Sequence, residues 1–381
     1  MKVRLSDVAY EVSERWNGSK AGVPIVGLEH LEPDELCVRK WDVDPDENTF
    51  SKAFKKGQIL FGRRRAYQKK LSIATCDGIC SGDITVIAAK EDKILSELLP
   101  FYLRAERFFD YAIQGSNGSL SPRVKWAHLA SYEFELPSLE RQRELGEVLW
   151  GANRLKEAYK GMVVATDEML KAKFREMFGE INENPFRFEK ATLDHIIIGT
   201  PTNGYFAKSS EYAEDASTEI LGVTGIVNRL YAQAEDLPRA NVKEEDVERF
   251  RVGYGDMLFC RSSLVKDGIG KAAIIPRDYG DDVVFECHVI RVKVNTKICH
   301  PLFLEYLSWS KDFRSQIIKN SKTTTMTTIS QDGISSVNVL LPPLSLQREF
   351  VKIAEGAEVT KVNLKKSIAE VDTIIKGLIN G

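Results

Sequence analysis

The sequence predicts an α+β fold in which two pseudo-symmetric α/β domains are separated by two long antiparallel helices that form a coiled coil. Two observations predict this architecture. A series of short motifs occurs twice, in the same order, within the 381 residues, and each series ends in a long proline-free stretch with regularly spaced apolar residues. A chain of this length suits two or three domains of about 100–200 residues each.

The duplication rests on two pairs of motifs. Residues 57–63 (Gly-Gln-Ile-Leu-Phe-Gly-Arg) match residues 255–261 (Gly-Asp-Met-Leu-Phe-Cys-Arg) at a shift of 255 − 57 = 198. Residues 135–144, which contain Leu-Pro-Ser-Leu-Glu-Arg-Gln-Arg-Glu, match residues 340–349 at a shift of 342 − 137 = 205. Two matches in the same order and at nearly the same shift indicate an internal repeat, with seven residues (205 − 198) gained between the landmarks of the second copy.

Each copy is predicted to follow one plan. Short apolar runs between glycine and aspartate residues predict strands, a short amphipathic helix follows, and a loop rich in Ser, Thr and Asn precedes a closing strand that ends in Leu-Pro. In the first copy the predicted strands are 59–61, 71–74 and 84–88, the helix is 100–111 and the loop is 114–122. In the second copy the predicted strands are 257–259, 272–275 and 288–294, the helix is 301–318 and the loop is 320–330.

The two proline-free stretches, 141–184 and 345–381, predict the long helices. The second stretch carries a seam of mainly apolar residues at alternating spacings of three and four, and subtracting 205 transfers the same register to the first. Each stripe packing onto its own domain is the alternative, but four continuous heptads favour pairing of the two helices. The expected pairing residues are Leu145, Val148, Ala152, Leu155, Tyr159, Met162, Phe350, Ile353, Ala357, Leu364, Val371, Ile374 and Leu378.

Composition excludes several classes of protein. Hydrophobic residues at 43% and charged residues at 28% indicate a globular chain. A net charge of −2 argues against a protein that coats nucleic acid through overall positive charge, although it permits a local basic patch. The sequence contains no apolar run of about 18 residues and no secretory signal after Met1, and its six cysteines form no Cys-x-x-Cys pair. We therefore expect a cytoplasmic protein with reduced thiols and no membrane partner.

Catalytic and metal-binding motifs are not evident in the sequence. The five histidines lack metal-ligand spacing, and no Gly-x-x-x-x-Gly-Lys-Ser/Thr phosphate loop occurs. A methyltransferase would need Asn/Asp-Pro-Pro-Tyr/Phe, whereas Pro342-Pro343 lies between two leucines. We therefore expect no catalytic residue, no metal and no cofactor in this chain.

The predicted architecture suits DNA. A helix of about 35 residues spans roughly 50 Å, and one turn of B-DNA is about 34–36 Å. Two globular domains on a paired helical spacer would contact one face of a duplex at sites one to one and a half turns apart. Because the two domains differ in sequence, the DNA target would be asymmetric.

The doubled motifs resemble the specificity (S) subunit of type I restriction-modification systems. They are the Gly-Asp/Gln-x-Leu-Phe-x-Arg strand, the polar loop before the closing strand, and Leu-Pro-x-Leu-x-x-Gln-Arg-Glu at the start of a long helix. The resemblance covers essentially the whole chain. It implies target-recognition domains at 1–140 and 180–343, a central helical spacer at 141–179 and a C-terminal spacer at 344–381.

The resemblance also implies what the chain does and what it binds. Each target-recognition domain would read one half of a split target in double-stranded DNA. The helices would hold methyltransferase (modification) subunits, two copies on pseudo-symmetric helices, and restriction subunits would join them. S-adenosylmethionine and ATP with magnesium would belong to those partners, and this chain would be a non-catalytic subunit.

Three groups of residues are candidates for DNA contacts. Arginine and lysine after the first repeated motif would neutralise phosphates, and arginine also binds guanine. Hydroxyl and amide side chains in the polar loops suit phosphates and base edges. A third group lies in a turn near the start of copy two. The candidates are Arg63, Arg64, Arg65, Tyr67, Gln68, Lys69 and Lys70; Arg261, Ser262, Ser263, Lys266 and Lys271; Ser116, Asn117, Ser119, Arg123 and Lys125; Lys322, Thr323, Thr324, Thr325 and Thr327; and Asn203, Tyr205 and Lys208.

These groups also have purely structural interpretations. The basic cluster suits a solvated surface loop, the polar loops suit mobile linkers, and Arg63 and Arg261 suit a carboxylate partner at the end of a strand. At the level of function, the alternatives are a non-catalytic repeat scaffold that binds other proteins and an enzyme with unrecognised catalytic residues. Salt-sensitive, sequence-selective DNA binding would argue against the scaffold, whereas methyl transfer by the chain alone would support the enzyme.

Overall fold

The computed structural model describes residues 1–43, 48–277, 279–280 and 282–380. The chain divides into two compact units: unit 1 comprises Met1–Gly161 and Leu364–Gly381, and unit 2 comprises Met162–Asn363. Among the described residues, no helix combines the length and the apolar character needed to cross a membrane.

Unit 1 is built from short strands and short helices that lead into a long helix. The strands are β1 (Lys2–Arg4), β2 (Ala9–Val12), β3 (Ile25–Val26), β4 (Lys52–Phe54), β5 (Ile59–Gly62), β6 (Leu71–Ile73), β7 (Gly78–Cys80), β8 (Ile84–Ala89) and β9 (Glu133–Glu135). The helices are α1 (Leu5–Val8), α2 (Leu99–Leu103), α3 (Glu106–Gln114), α4 (Trp126–Leu129) and the long α5 (Leu139–Phe178), which belongs to this unit up to Gly161.

The main sheet of unit 1 contains the first repeated motif. Its strand order is β2-β8-β5-β6, beside a three-stranded sheet β3-β7-β4 and a pair β1-β9. The motif forms β5, an interior strand whose residues are all buried. Phe61 on this strand packs against Phe108 and Phe109 of α3, with ring centroids 5.7 and 6.2 Å away. Burial on both faces explains why this strand is continuously apolar in sequence.

Unit 2 begins with the rest of α5 and repeats the plan. Its strands are β10 (Glu189–Thr192), β11 (Thr202–Asn203), β12 (Thr218–Leu221), β13 (Arg239–Ala240), β14 (Asp256–Cys260), β15 (Ser262–Ser263), β16 (Ala272–Ile274), β17 (Val283–Phe285), β18 (Val289–Lys293), β19 (Lys322–Thr323), β20 (Thr327–Thr328) and β21 (Asn338–Leu341). Its helices are α6 (Glu244–Phe250), α7 (Pro301–Ser308), α8 (Lys311–Asn320), α9 (Gln331–Ser335) and the long α10 (Leu344–Asn380), which belongs to this unit up to Asn363.

The main sheet and two strand pairs of unit 2 match those of unit 1. The main sheet has the order β11-β18-β14-β16, so that β14, the second copy of the motif, takes the place of β5. A closing pair β10-β21 corresponds to β1-β9, and parallel β12-β17 corresponds to parallel β3-β7. The predicted α+β fold with two pseudo-symmetric parts is therefore confirmed.

The glycine that opens the repeated motif has the same role in both units. Gly57 and Gly255 have φ values of 87° and 81°, a left-handed backbone that favours glycine. The N–H of Gly57 donates to the carbonyl of Ala74 (2.9 Å), and the N–H of Gly255 donates to the carbonyl of Ile275 (3.0 Å). Each glycine thus turns the chain into the interior strand.

One helical segment differs from the prediction in each unit. The single helices expected at 100–111 and 301–318 are each broken into two, α2 with α3 and α7 with α8. In unit 2 the break is fixed by Ser310, whose Oγ caps α8 by accepting a hydrogen bond from the N–H of Phe313. In unit 1 the backbone of Ala105 is extended at the same place. The short helices α4 and α9, which precede the closing strands, were not predicted.

The repeated motif at the start of each long helix contains a buried glutamine. Gln142 accepts a hydrogen bond from the N–H of Leu95 (3.0 Å) and donates to the carbonyls of Pro137 (3.1 Å) and Lys93 (3.4 Å). The glutamine therefore joins the first turn of α5 to the segment before α2. We call this set of bonds the glutamine clamp.

The same clamp occurs in unit 2, at the shift already found for the second pair of motifs (347 − 142 = 205). Gln347 accepts from the N–H of His300 (2.8 Å) and donates to the carbonyls of Pro342 (2.8 Å) and Ile298 (3.1 Å). Each bonded group in unit 2 is related to its counterpart in unit 1 by this one shift. The glutamine of the repeated motif is thus a structural residue that fixes where each long helix begins.

In unit 1 the first part of α5 packs antiparallel to the last part of α10. Leu149 and Ile379 belong to one buried apolar cluster, and Lys156 Nζ lies 2.6 Å from Asp372 Oδ1. Along this contact the residue numbers rise on α5 as they fall on α10, so the two helices are antiparallel.

In unit 2 the second part of α5 packs antiparallel to the first part of α10. The rings of Phe174 and Phe350 meet at 5.1 Å, and Lys361 Nζ lies 2.6 Å from Asp167 Oδ1. Burial alone would lower the pKa of Lys361, but its bonds to Asp167 and Glu358 raise that pKa above its ordinary value. The predicted helix pairing is confirmed in each unit.

Burial along the two long helices follows the predicted seam only in part. Val148, Leu155, Met162 and Ile374 are exposed, and Leu145, Ala152, Tyr159, Ile353 and Leu378 are only partly buried. The seam of α5 follows one residue later, through Leu149, Asn153, Lys156, Lys160, Asp167, Leu170 and Phe174. On α10, Phe350, Ala357, Leu364 and Val371 are buried as predicted, and the intervening positions are Ala354, Lys361, Ile368 and Ile375.

The core of unit 2 contains a fully buried carboxyl group. Glu305 on α7 is fully buried, and its Oε1 accepts a hydrogen bond from Trp309 Nε1 (2.8 Å). Its Oε2 has no hydrogen-bond partner among the described residues. Burial raises the pKa of this carboxyl to about 8, so that it is protonated in the folded protein at neutral pH.

This buried proton predicts a pH dependence. An unfolded glutamate loses its proton at about pH 4.3, whereas folded Glu305 keeps it to about pH 8, so the free energy of unfolding falls as the pH rises between those values. Glu305→Gln removes this titration. In urea unfolding from pH 5 to 8, we expect the free energy of unfolding of the variant, relative to that of the wild type, to rise by up to about 1.4 kcal/mol per pH unit. The exposed-site variant Glu355→Gln should follow the wild type; the same behaviour in Glu305→Gln would contradict a buried proton.

Candidate nucleic-acid interface

The basic cluster of unit 1 lies on a tightly turned loop after β5. A 3-10 turn, Ala66–Gln68, is flanked by Arg65 and Lys69, whose φ values are 53° and 52°. Left-handed conformations of residues other than glycine cost free energy, and they concentrate at functional sites. We call residues 63–70 the arginine loop.

The structure brings the arginine loop together with the predicted polar loop. Asn117 and Arg123 exchange two backbone hydrogen bonds (3.0 and 2.9 Å) and close a hairpin, residues 117–123. The N–H of Arg65 donates to the carbonyl of Pro122 (2.8 Å), and the N–H of Val124 donates to the carbonyl of Arg63 (3.0 Å). Two groups predicted separately therefore form one surface.

Asp83 fixes the arginines of this surface. Its carboxylate accepts hydrogen bonds from Arg123 Nε (2.7 Å) and Arg64 Nη1 (3.5 Å), and Arg64 also donates to Ser121 Oγ (3.1 Å). The hydrogen bond from Arg123 is the main reason that the pKa of Asp83 lies below its ordinary value. The guanidinium groups are thus held in place before any ligand arrives.

Three guanidinium N–H groups beneath this surface have no partner in the part of the chain that the structure describes. The Nε atoms of Arg63, Arg64 and Arg65 have little solvent exposure, and none has a hydrogen-bond partner among the described residues. The remaining predicted residues of unit 1 divide into exposed and engaged ones. Tyr67, Asn117, Ser119, Arg123 and Lys125 are exposed, whereas Ser116 bonds to Ala112, Lys69 to Glu106 and Lys70 to Leu28, and Gln68 is half-buried.

Unit 2 has the same arrangement. Its hairpin consists of β19 and β20, and β15 pairs with β20. The pair Lys322 and Thr328 corresponds to Asn117 and Arg123, since 322 − 117 and 328 − 123 both equal 205. The pair Ser262 and Thr328 corresponds to Arg64 and Arg123, where 262 − 64 = 198. The backbone is therefore duplicated, whereas the side chains differ.

Several predicted residues of unit 2 are engaged within the unit. Arg261 donates to the carbonyl of Cys287 (3.0 Å), so it is engaged within the unit, but its partner is not the carboxylate that the structural interpretation expects. Lys271 bonds to Asp267 (2.6 Å) and Asn228 (2.8 Å). Thr327 is buried, and its hydroxyl bonds to that of Thr323 (3.0 Å), so it supports the hairpin from inside.

The other predicted residues of unit 2 line its surface. Lys266, Lys322, Thr324, Thr325 and Lys208 are exposed, and Ser262, Ser263, Asn203 and Tyr205 are half-buried. The strand that contains Asn203 pairs with β18, which continues from the turn beside Arg261. The Oδ1 atom of Asn203 has little solvent exposure and no hydrogen-bond partner among the described residues, whereas the Tyr205 hydroxyl bonds to Glu211.

Comparisons with known proteins identify relatives of this architecture. No protein-family model matches the chain. Two specificity subunits of type I restriction enzymes from Escherichia coli are similar in sequence. The EcoDI subunit is 30% identical over 92 residues, which are 24% of this chain and 20% of that subunit. The EcoKI subunit is 22% identical over 318 residues, 79% of this chain and 68% of that subunit.

Two solved structures are similar over the full length of the chain. One is a chain from a structure that concerns complex assembly and conformational transition of the type I restriction-modification system; it has a TM-score of 0.56, 15% identity and 96% of its length covered. The other is the S subunit of a type I restriction-modification system from M. genitalium, with a TM-score of 0.53, 13% identity and 94% of its length covered.

This chain has the fold of a type I specificity subunit. The predicted resemblance to that family is thereby confirmed in sequence and in fold.

Three exposed apolar residues of this specificity-subunit fold were not among the candidates chosen from the sequence. Leu120 at the tip of the hairpin in unit 1 is 90% exposed, and Leu264 in the loop after β15 of unit 2 is 82% exposed. Phe206, next to Tyr205, is 68% exposed. Each lies within a predicted polar or basic loop, and that position was the available signal, because an apolar side chain in such a loop has no core to enter.

One cluster of metal-ligand residue types also lies in unit 1. Glu29, His30 and Asp42 bring ligand atoms within 4.8 Å of one another. However, His30 Nδ1 accepts a hydrogen bond from the N–H of Gly27 (2.9 Å), so a neutral ring carries its proton on Nε2, which faces Asp42 at 3.6 Å. This arrangement suits a histidine–carboxylate contact better than a metal ion.

Proposed function

We propose that this chain is the DNA sequence-recognition subunit of a type I restriction-modification complex. In this proposal each unit reads one half of an asymmetric, bipartite target in double-stranded DNA. The observation that carries it is the duplicated pairing of the loop after the interior strand with a hairpin, in which Arg64, Asn117 and Arg123 of unit 1 are replaced by Ser262, Lys322 and Thr328 in unit 2. One scaffold with two sets of side chains suits two different half-sites.

The chemistry of the surface in unit 1 supports this proposal. Its basic side chains outnumber its carboxylates, Asp83 and Glu106, and guanidinium groups suit phosphate oxygens or guanine. The equivalent hairpin of unit 2, β19 with β20, is a two-stranded ribbon, which fits the major groove of B-DNA. The acidic chain as a whole is expected to bind weakly, so tight binding would require the partner methyltransferase.

We further propose that the long helices hold the partner subunits. Apolar side chains lie exposed outside the seam: Val148 and Leu155 in unit 1, and Met162 and Met169 in unit 2. Exposed apolar surface on a helix suits a protein partner. In this proposal methyltransferase subunits bind there with S-adenosylmethionine, restriction subunits with ATP and magnesium join them, and the chain itself is non-catalytic.

Methylome sequencing tests the proposed function. The chain would be expressed with its methyltransferase subunit in a host without other adenine methylation. We expect methylated adenines within one motif that has two unlike defined halves and an unspecified spacer. Methylation by the purified chain alone would favour an enzyme, and a complex without sequence-selective DNA binding would favour the protein-binding scaffold.

Substitution of two basic residues tests the surface itself. Arg65→Gln with Lys125→Gln is expected to weaken DNA binding and to lower the slope of log affinity against log salt by about two, one for each lost phosphate contact. Fluorescence anisotropy with a duplex carrying the target, at several salt concentrations, measures both quantities. Lys93→Gln is the matched control, since Lys93 is an exposed basic residue beside the glutamine clamp. An unchanged slope in the double variant would place the phosphates elsewhere.

A further inference from the structure

The hairpin of unit 1 presents an isolated apolar side chain. Leu120 lies at the middle of the five residues between Asn117 and Arg123, whose backbones close the hairpin. Its side chain is 90% exposed, and its neighbours Ser119 and Ser121 are polar. Leucine exposed to this extent gains nothing from the fold, because it contacts no core.

The base of the same hairpin is fixed and basic. Asp83 holds Arg64 and Arg123, and Arg65 bonds to Pro122 next to the tip. Under the proposed function these arginines neutralise phosphates, so the tip points toward the bases between them. Under the same function the hairpin enters the major groove, where the one apolar feature of the base edges is the C5-methyl group of thymine.

Unit 2 has a polar residue at the equivalent position. Thr325 corresponds to Leu120 (325 − 120 = 205), lies between β19 and β20, and is exposed. The two hairpins thus share a backbone arrangement and differ in chemistry at the point furthest from their anchors. A difference at the tip is what two domains with different half-sites would require.

We propose that Leu120 is a specificity-determining residue that contacts the C5-methyl group of a thymine in the half-site of unit 1. This inference rests on the proposed function and adds to it one chemical feature of the target. The contact would bury the methyl group against the leucine side chain.

Replacement of thymine with deoxyuridine tests this contact, because it removes the methyl group and leaves base pairing intact. The complex of the full chain with its methyltransferase would be titrated with duplexes in which each thymine of the target is replaced in turn. For the wild type, we expect about fourfold weaker binding at one position in one half-site, as for the loss of one buried methyl group. Leu120→Ala should bind the unmodified target about fourfold more weakly and be insensitive to deoxyuridine at that position.

Thr325→Ala is the matched control, and it should keep the wild-type response at that thymine. Three results would overturn the inference: no thymine whose methyl group matters to the wild type, a response that persists in Leu120→Ala, or unchanged binding of Leu120→Ala. Uniformly weaker binding of Leu120→Ala to all modified duplexes would also overturn it, in favour of a wedge between base pairs. Failure of the proposed function is distinguishable, since the wild-type complex would then show no preference for the target over unrelated DNA.

Discussion

Gln347→Leu is expected to lower the free energy of unfolding of unit 2 by about 2–4 kcal/mol. Leucine has nearly the same size but neither donates nor accepts. The substitution therefore leaves the buried N–H of His300 and the carbonyls of Ile298 and Pro342 without their partner. Unsatisfied buried groups cost free energy because they have lost water as well as their hydrogen bond. Gln142→Leu should have a similar effect on unit 1.

Hydrogen exchange followed by mass spectrometry measures this effect for each unit. Protection should fall in unit 2 of Gln347→Leu and in unit 1 of Gln142→Leu, and change little in the other unit. Glu349→Leu, at an exposed position on the same helix, is the control for adding leucine to α10. Equal losses in Gln347→Leu and Glu349→Leu would show that the glutamine clamp contributes little.

A matched insertion of one heptad in both long helices is expected to abolish methylation at native sites and to create sites with a longer spacer. Insertion after Glu157 and before Val371 keeps Lys156 with Asp372 on one side and Asp167 with Lys361 on the other. Seven helical residues add about 10 Å, which is about three base pairs at 3.4 Å each. Under the proposed function, the bases of both half-sites remain the same.

Methylome sequencing of the insertion variant decides this prediction. An insertion in α5 alone is the control, because it moves one of the two lysine–aspartate pairs out of register, and it should lower stability as well as methylation. Altered base identities at an unchanged spacer would contradict the assignment of spacing to the helices. Methylation sites with the same bases and the same spacer as in the wild type would also contradict that assignment.

Much of the fold could be predicted because the residues that are repeated in the two copies have definite structural roles. Gly57 and Gly255 are needed for a left-handed backbone, and Gln142 and Gln347 for the clamp, so both pairs stand out in sequence. The strands are short apolar runs between turns. The break in the short helices is less visible, because it depends on a single cap such as Ser310.

The seam could not be fixed from the pattern of apolar residues. Ile353 and Ala354 are both apolar, as are Ile374 and Ile375, so the spacing fits either choice. The decisive position, Lys361, is a charged residue that is buried because Asp167 and Glu358 pair with it. A hydrophobic pattern does not identify such a residue as part of a helix interface.

The candidate interface could be predicted from the sequence only in part, for a different reason. The sequence indicates its basic and polar residues, but hairpin 117–123 contains no strand pattern and is closed by backbone bonds alone. The contact of Arg64 and Arg123 with Asp83 joins segments far apart in the chain, which sequence spacing does not reveal. Leu120 could be recognised only once its exposure was known.

The two lysine–aspartate pairs of the long helices are copies of each other. Lys361 corresponds to Lys156, and Asp372 to Asp167, at the shift of the repeat (361 − 156 = 372 − 167 = 205). Each helix therefore carries both members of the charge pair and is self-complementary, so that these charges favour a second copy of the same helix as well as the unlike one.

The apolar contacts favour pairing of α5 with α10 over pairing of two copies of the same helix. Phe174 and Phe350 meet in unit 2, whereas the corresponding positions in unit 1, 379 and 145, hold Ile379 and Leu145. Self-pairing would set an aromatic ring against an aliphatic side chain at both ends, and shape complementarity is lost there. The side chains at these positions, and not the lysine–aspartate pairs, distinguish the unlike helix from a second copy of the same helix.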